Sequence, residues 1–207
     1  MYVLPVDTPH GQANVHHHAA DEPRAALVLG HGAGGGVTSR DLVTATRAAL
    51  AEGISVALVE QPYRVAGRRS PAPAAKLDAA WTTVIAHLAA GELHGLPIIT
   101  GGRSSGARVA CRTASPTGAV GVLCLAFPLR PPRRAGAKPS PSRLDELDGV
   151  TVPTLVIQGA SDPFGMPPPG ANRTVVQVPG DHSLRTGLGA LEDAVRDWLP
   201  RVAPVSN

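Results

Sequence analysis

The sequence predicts an α/β fold: a mostly parallel central sheet flanked by helices on both faces, with no cap domain. Two observations carry this. Short, continuously apolar segments recur along the chain, as expected of strands covered on both faces. Stretches with helical periodicity alternate with them, and strand-then-helix alternation builds parallel sheets through right-handed crossovers. At 207 residues the chain fits one domain, 1–207, because two would each be small.

The predicted strands are AALVLG at 25–30, ISVALVE at 54–60, LPIIT at 96–100, GVLCLAF at 121–127, TLVIQG at 154–159 and TVVQV at 174–178. Helical stretches are expected at about 38–52, 74–90, 105–114 and 188–199. In the last of these, Leu188, Leu191, Val195, Trp198 and Leu199 fall on one face. Residues 1–20 are expected to add one or two antiparallel edge strands. The segment 128–149 is rich in Pro and Arg, and its prolines exclude a regular helix over most of its length. It reads as a long loop that follows a strand, and so belongs on the rim where a parallel sheet gathers its ligand-binding loops.

Composition excludes several classes of protein. A 43% hydrophobic chain is not disordered by default, and 3% aromatic residues leave little for a base-stacking surface. The net charge of +3 is modest and the arginines are dispersed, so no nucleic-acid partner is expected. The longest apolar run is far too short for a membrane span and no signal-like segment opens the chain, so a cytoplasmic protein without a membrane partner is expected. Cys111 and Cys124 read as buried thiols rather than a disulfide framework. His16-His17-His18 alternates direction in an extended segment, and no acid or thiol lies near it at ligand spacing, so no metal is expected.

Chemistry concentrates at one corner. Residues Gly102-Arg103-Ser104-Ser105-Gly106 match G-x-S-x-G between a strand and a helix, the context of a nucleophile elbow. A tight turn there strains the serine backbone and leaves no room for flanking side chains, which the glycines provide. The alternative is a glycine-rich turn whose serine merely caps the helix. A serine needs a base, and the base needs an orienting group. Asp162 follows the strand at 154–159 and His182 follows the strand at 174–178, in the order Ser…Asp…His. Asp181 is a competing acid, though adjacent side chains rarely aim at one another, and Asp145 and Asp148 are weaker candidates.

The loop LGHGAGGG at 29–36 supplies the remaining part. Its glycines let backbone amides approach a ligand, and an acyl-transfer oxyanion needs two donors. Ser105 should supply one, and Ala33 or Gly34 the other. A dinucleotide-binding reading of GHGAGGG, with Glu60 as the ribose acid, leaves Ser104, Asp162 and His182 unexplained. His31 should hold this loop by hydrogen bonds, and no cofactor is needed. Arg64, Arg68 and Arg69, with Arg130, Arg133 and Arg134, follow strands, while Arg103 lies inside the elbow. Either arginine simply stands in for lysine in this composition, or arginines so placed favour a substrate bearing carboxylate or phosphate.

Together GHGAGGG, GGRSSGARVA, QGASDPFG and PGDHSL resemble the α/β-hydrolase superfamily. More narrowly they are similar to small dienelactone-hydrolase-like proteins grouped with the testis-expressed and NSL-complex hydrolase-like families. The likeness runs from about residue 24 to 199. It implies Ser104 as nucleophile, His182 as base and Asp162 as orienter, with amides near Ala33 and Ser105 forming an oxyanion hole. The expected activity is hydrolysis of a small-molecule ester, or else of a thioester or small amide, through an acyl-serine. Some members of the narrower group act as complex subunits, so the alternative is a hydrolase-like scaffold for protein contacts.

Overall fold

The computed structural model describes residues 1–131 and 140–203. Eight strands form one sheet: β1 (Tyr2–Thr8), β2 (Gly11–His18), β3 (Ala25–Gly30), β4 (Ile54–Glu60), β5 (Ile98–Arg103), β6 (Gly121–Leu125), β7 (Thr154–Gly159) and β8 (Arg173–Val178). Their order across the sheet is β1-β2-β4-β3-β5-β6-β7-β8. β3 to β8 run parallel, while β2 pairs antiparallel with both β1 and β4. The two N-terminal strands are therefore present as expected, with β1 alone forming that edge.

Among the described residues five helices lie between strands, α1 (Arg40–Ala51), α2 (Pro62–Val65), α3 (Ala74–Ala90), α4 (Ser105–Thr113) and α5 (Leu144–Asp148), and α6 (Leu188–Val202) follows β8. Alternation along each strand explains the two buried faces. On β3, Ala25, Leu27 and Leu29 pack with Leu42 of α1 and Val195 and Trp198 of α6. Ala26 and Val28 point the other way, towards Trp81 and Leu88 of α3. A third cluster joins α4 and α5 to β6 through Ala107, Cys111, Cys124 and Leu147. The thiols of Cys111 and Cys124 are free, 3.5 Å apart and buried.

Four expectations need adjustment. The strand expected at 121–127 ends at Leu125, because Ala126 takes a φ of 51°. The fifth strand begins and ends later than 96–100, because Leu96 and Pro97 lead into it and Gly101 to Arg103 continue its pairing with β6. α6 runs past 199 and accommodates Pro200 in its last turn. The segment 128–149 is not a loop throughout. Beyond Pro141 no proline interferes, and Leu144–Asp148 forms α5, which buries Leu147 and pairs Glu146 with Arg108 and Arg112 of α4. Burial would raise the Glu146 carboxyl, but the two guanidiniums outweigh it and hold it below its usual value. Arg133 and Arg134 lie outside the described residues.

The chain order reverses across the sheet at β3, whose neighbours are β4 and β5. The loops leaving β3 and β5 therefore flank one crevice at the carboxyl ends of the strands, the usual ligand site in such sheets. Backbones come very close there. A Cβ on either Gly102 or Gly106 would overlap the carbonyl oxygen of Gly30. The contact is backbone against backbone, so no rotamer change relieves it. Gly106→Ala should lower unfolding free energy by about 3 kcal/mol, read as a drop in the denaturant midpoint; a midpoint unchanged from the parent would show that α4 can shift away from β3.

Candidate active site

Ser104 lies between β5 and α4 with φ 52° and ψ −107°, a conformation that side-chain-bearing residues rarely adopt. It is held by the N–H of Ser104 donating to the Leu125 carbonyl at 2.9 Å. The serine makes no side-chain cap to α4. Its hydroxyl instead meets His182 Nε2 at 2.9 Å.

The other face of the imidazole is equally well defined. His182 Nδ1 lies 2.8 Å from Asp162 Oδ2. A carboxylate only accepts, so Nδ1 carries the hydrogen and Nε2 is left to accept from Ser104. The Asp162 carboxylate is fully buried, and buried charge requires partners. It has three: His182, the Phe164 N–H on Oδ1 at 2.8 Å, and Gln158 Nε2 on Oδ2 at 2.8 Å. The Phe164 ring covers the imidazole at a centroid distance of 4.2 Å. Gln158 and Phe164 are not singled out by the sequence reading. The available signal for Gln158 was a lone amide in the otherwise apolar strand TLVIQG.

The competing acids lie elsewhere. Asp181 Oδ1 accepts from the amide and hydroxyl of Ser183, bonds that hold its carboxyl below the usual range. Asp148 pairs with Arg173, and among the described residues the carboxylate bonded to His182 is that of Asp162.

Arg103 has a structural task. Its Nε lies 3.0 Å from Asp41 Oδ2, a fully buried carboxylate in the first turn of α1, and its Nη2 donates to the His182 carbonyl at 3.0 Å. One guanidinium thus ties α1, the elbow and the His182 loop together. Arg130 is exposed and bonds Phe164 through its backbone N–H; Arg64 reaches the Arg68 carbonyl at 3.4 Å.

The glycine-rich loop after β3 is tethered from outside. His31 Nδ1 bonds the Gly32 carbonyl at 2.8 Å, and its Nε2 accepts from the Gln61 N–H at 3.1 Å. Tyr63 donates its hydroxyl to the Ala33 carbonyl at 2.9 Å. Among the described residues, the amides of Ala33, Gly34 and Ser105 meet no acceptor. A groove of about 620 Å³ opens beside Gly34, lined also by Gly35, Arg40, Arg103, Ser183 and Arg185 among others.

A parallel sheet with this elbow at its switch point defines the class: the chain has the α/β-hydrolase fold. More particularly, residues 23–194 match the family model described as alpha/beta hydrolase domain, and the chain belongs to that family. The fold is similar to that of an α/β serine hydrolase without lid from Xanthomonas campestris, with 19% identity, 100% and 96% of the two chains covered and a TM-score of 0.79. It is similar to Est1E from Butyrivibrio proteoclasticus at 17% identity, 97% and 98% coverage and TM-score 0.76. A dienelactone hydrolase from Anabaena variabilis aligns at 15% identity, 97% and 96% coverage and TM-score 0.74. No curated protein matches.

His31 makes the loop sensitive to acid. Burial holds its imidazole below the ordinary value, with the Gly32 carbonyl pulling the other way. The folded chain therefore binds fewer protons here than the unfolded one, and stability falls as pH drops below about 6.5. Protonation also removes the acceptor that Gln61 uses. His31→Gln should lose less unfolding free energy than the parent between about pH 7 and pH 5, measured by denaturant titration at each pH; equal losses would show that His31 carries none of the acid sensitivity.

Proposed function

We propose that the protein is a serine hydrolase of carboxylesterase type, with Ser104, His182 and Asp162 as its catalytic triad. The observation that carries the reading is the unbroken hydrogen-bonded chain from Ser104 Oγ through both ring nitrogens of His182 to the buried Asp162 carboxylate.

In this reading Ser104 Oγ attacks the ester carbonyl while His182 Nε2 takes the hydroxyl proton. Asp162 holds the ring in the required tautomer and orientation, and stabilises the imidazolium formed as the proton is taken. The carbonyl oxygen becomes an oxyanion that accepts from the Ser105 amide and from Ala33 or Gly34, each such donor contributing about 3 kcal/mol in comparable chemistry. The C–O bond of the ester then breaks, and the alcohol leaves with the proton from His182. Water attacks the acyl-serine, gives its proton to His182, and the proton returns to Ser104 as the acid is released. The free amides of the loop and elbow fit the oxyanion role, since an amide already bonded within the protein could not serve it.

The substrate is proposed to be a small ester carrying a carboxylate or phosphate. Arg103 is committed to Asp41, but Arg40 and Arg185 on the groove beside the elbow form no ion pair among the described residues. Est1E, a protein of similar fold, has been seen with ferulic acid bound; a carboxylic acid is what ester cleavage releases, so that complex supports the ester reading and not the charge preference.

A fluorophosphonate probe should label the wild-type chain and fail to label Ser104→Ala. On short-chain nitrophenyl esters, Asp162→Asn should lower kcat by about four orders of magnitude. A folded wild type that neither labels nor turns over would favour a scaffold for protein contacts instead. At low salt, an ester carrying a carboxylate should show higher kcat/KM than a neutral ester of equal chain length, and the reverse ranking would remove the charge preference.

A further inference from the structure

The segment joining β4 to α3 carries three cations, Arg68, Arg69 and Lys76, that the proposed chemistry does not use. Their placement is built rather than incidental. α2 is one turn long and is capped by Ala66, and the φ of +74° at Gly67 then reverses the chain. The Gly67 N–H donates to the Arg64 carbonyl and the Arg68 N–H to the Tyr63 carbonyl, both at 2.8 Å, which is the paired closure of a Schellman motif. That closure fixes where Arg68 and Arg69 leave the helix.

They leave it on the wall of a cavity of about 870 Å³, between this segment and the β1–β2 turn. The apolar side is Tyr63, Val65 and Leu77, while Arg68, Arg69 and Lys76 line the same space. No Asp or Glu lines it, and none of the three cations has an ion-pair partner among the described residues. Uncompensated like charges gathered over an apolar wall lower their energy by taking an anion, and arginine forks match phosphate or carboxylate oxygens in pairs. The volume is that of a small-molecule site.

We propose that this cavity is a second ligand site, taking an amphiphilic anion. The phosphate or carboxylate head meets Arg68, Arg69 and Lys76, and the hydrocarbon body lies over Tyr63, Val65 and Leu77. The site is separate from Ser104 yet mechanically joined to it. Gln61 and Tyr63 line the cavity and also line a small void against His31 and Ser105. The same two residues hold the glycine-rich loop, through Gln61 N–H to His31 and Tyr63 hydroxyl to Ala33. A ligand seated against Tyr63 therefore bears on the loop that would stabilise the oxyanion.

The test is independent of turnover, because it uses the full-length Ser104→Ala chain. Octyl phosphate is titrated into isotopically labelled protein and followed by backbone amide shifts, with octanol and inorganic phosphate as separate arms. Octyl phosphate should shift amides in 66–77 saturably, at least tenfold tighter than either fragment. Arg68→Ala/Arg69→Ala should weaken that binding at least tenfold, and since both side chains are exposed the variant keeps the fold. The proposal is overturned by no saturable shift in 66–77, by equal affinity in the double variant, or by shifts confined to 34–40 and 183–185, which would put the anion beside Ser104. Inorganic phosphate binding as tightly as octyl phosphate would equally overturn it, leaving a free-phosphate site.

Discussion

The structure depends on one close approach: β3, β5 and the start of α4 meet at Gly30, Gly102 and Gly106 with no side chain between them. Nothing larger than hydrogen fits at Gly102 or Gly106. Because α4 presses against β3, the chain between β5 and α4 must turn within a single residue, and that residue is Ser104 at φ 52°. The strain is local and is offset by the Ser104 amide bonding Leu125 and by burial of the α4 face in the core. A serine forced into this conformation cannot spend its hydroxyl on capping the helix. Its oxygen is directed out of the turn, where His182 meets it.

The second requirement is to keep His182 in place, since it sits on a loop beyond β8 and loops are the mobile part of a fold. Two independent anchors do so. From the ring side, Asp162 and Phe164 come from the loop after β7, and Gln158 inside β7 fixes the carboxylate in turn. From the backbone side, Arg103 bonds the His182 carbonyl while Asp41 holds Arg103. A buried ion pair adds little net stability when compared with apolar packing, but removing one partner strands the other. Here the pair fixes geometry: one guanidinium ties α1, the elbow and the histidine loop together.

Much of this was legible in the sequence, and the reasons differ by residue. Strands buried on both faces read as apolar runs, so β3, β4 and β7 are found at their predicted bounds. The spacing of Ser104, Asp162 and His182 past strand ends placed them on one rim. What escaped was set by tertiary contact. α2 is too short to show periodicity, and α5 hides behind a proline-rich stretch that argues against helix until Pro141. Arg103 read as a rim cation available to an anionic substrate, because its partner Asp41 lies far earlier in the sequence and gives no local sign of burial. Gln158 and Phe164 gain their meaning only once Asp162 is buried beside them.

The glycine-rich loop poses the remaining physical problem. Glycines allow its amides to face inward, but they also give the unfolded loop more freedom to lose, and a loose loop would not hold two amides at fixed positions. Its own sequence supplies few side chains to fix it. The solution lies in the next crossover, where Gln61 and Tyr63 each reach one point on the loop, at His31 and Ala33. The order of the loop is thus borrowed from α2. Since α2 also forms a wall of the cavity lined by Arg68 and Arg69, whatever firms or displaces that wall acts on the same two hydrogen bonds. The glycine-rich loop and the cationic cavity thus meet at Gln61 and Tyr63, which touch both.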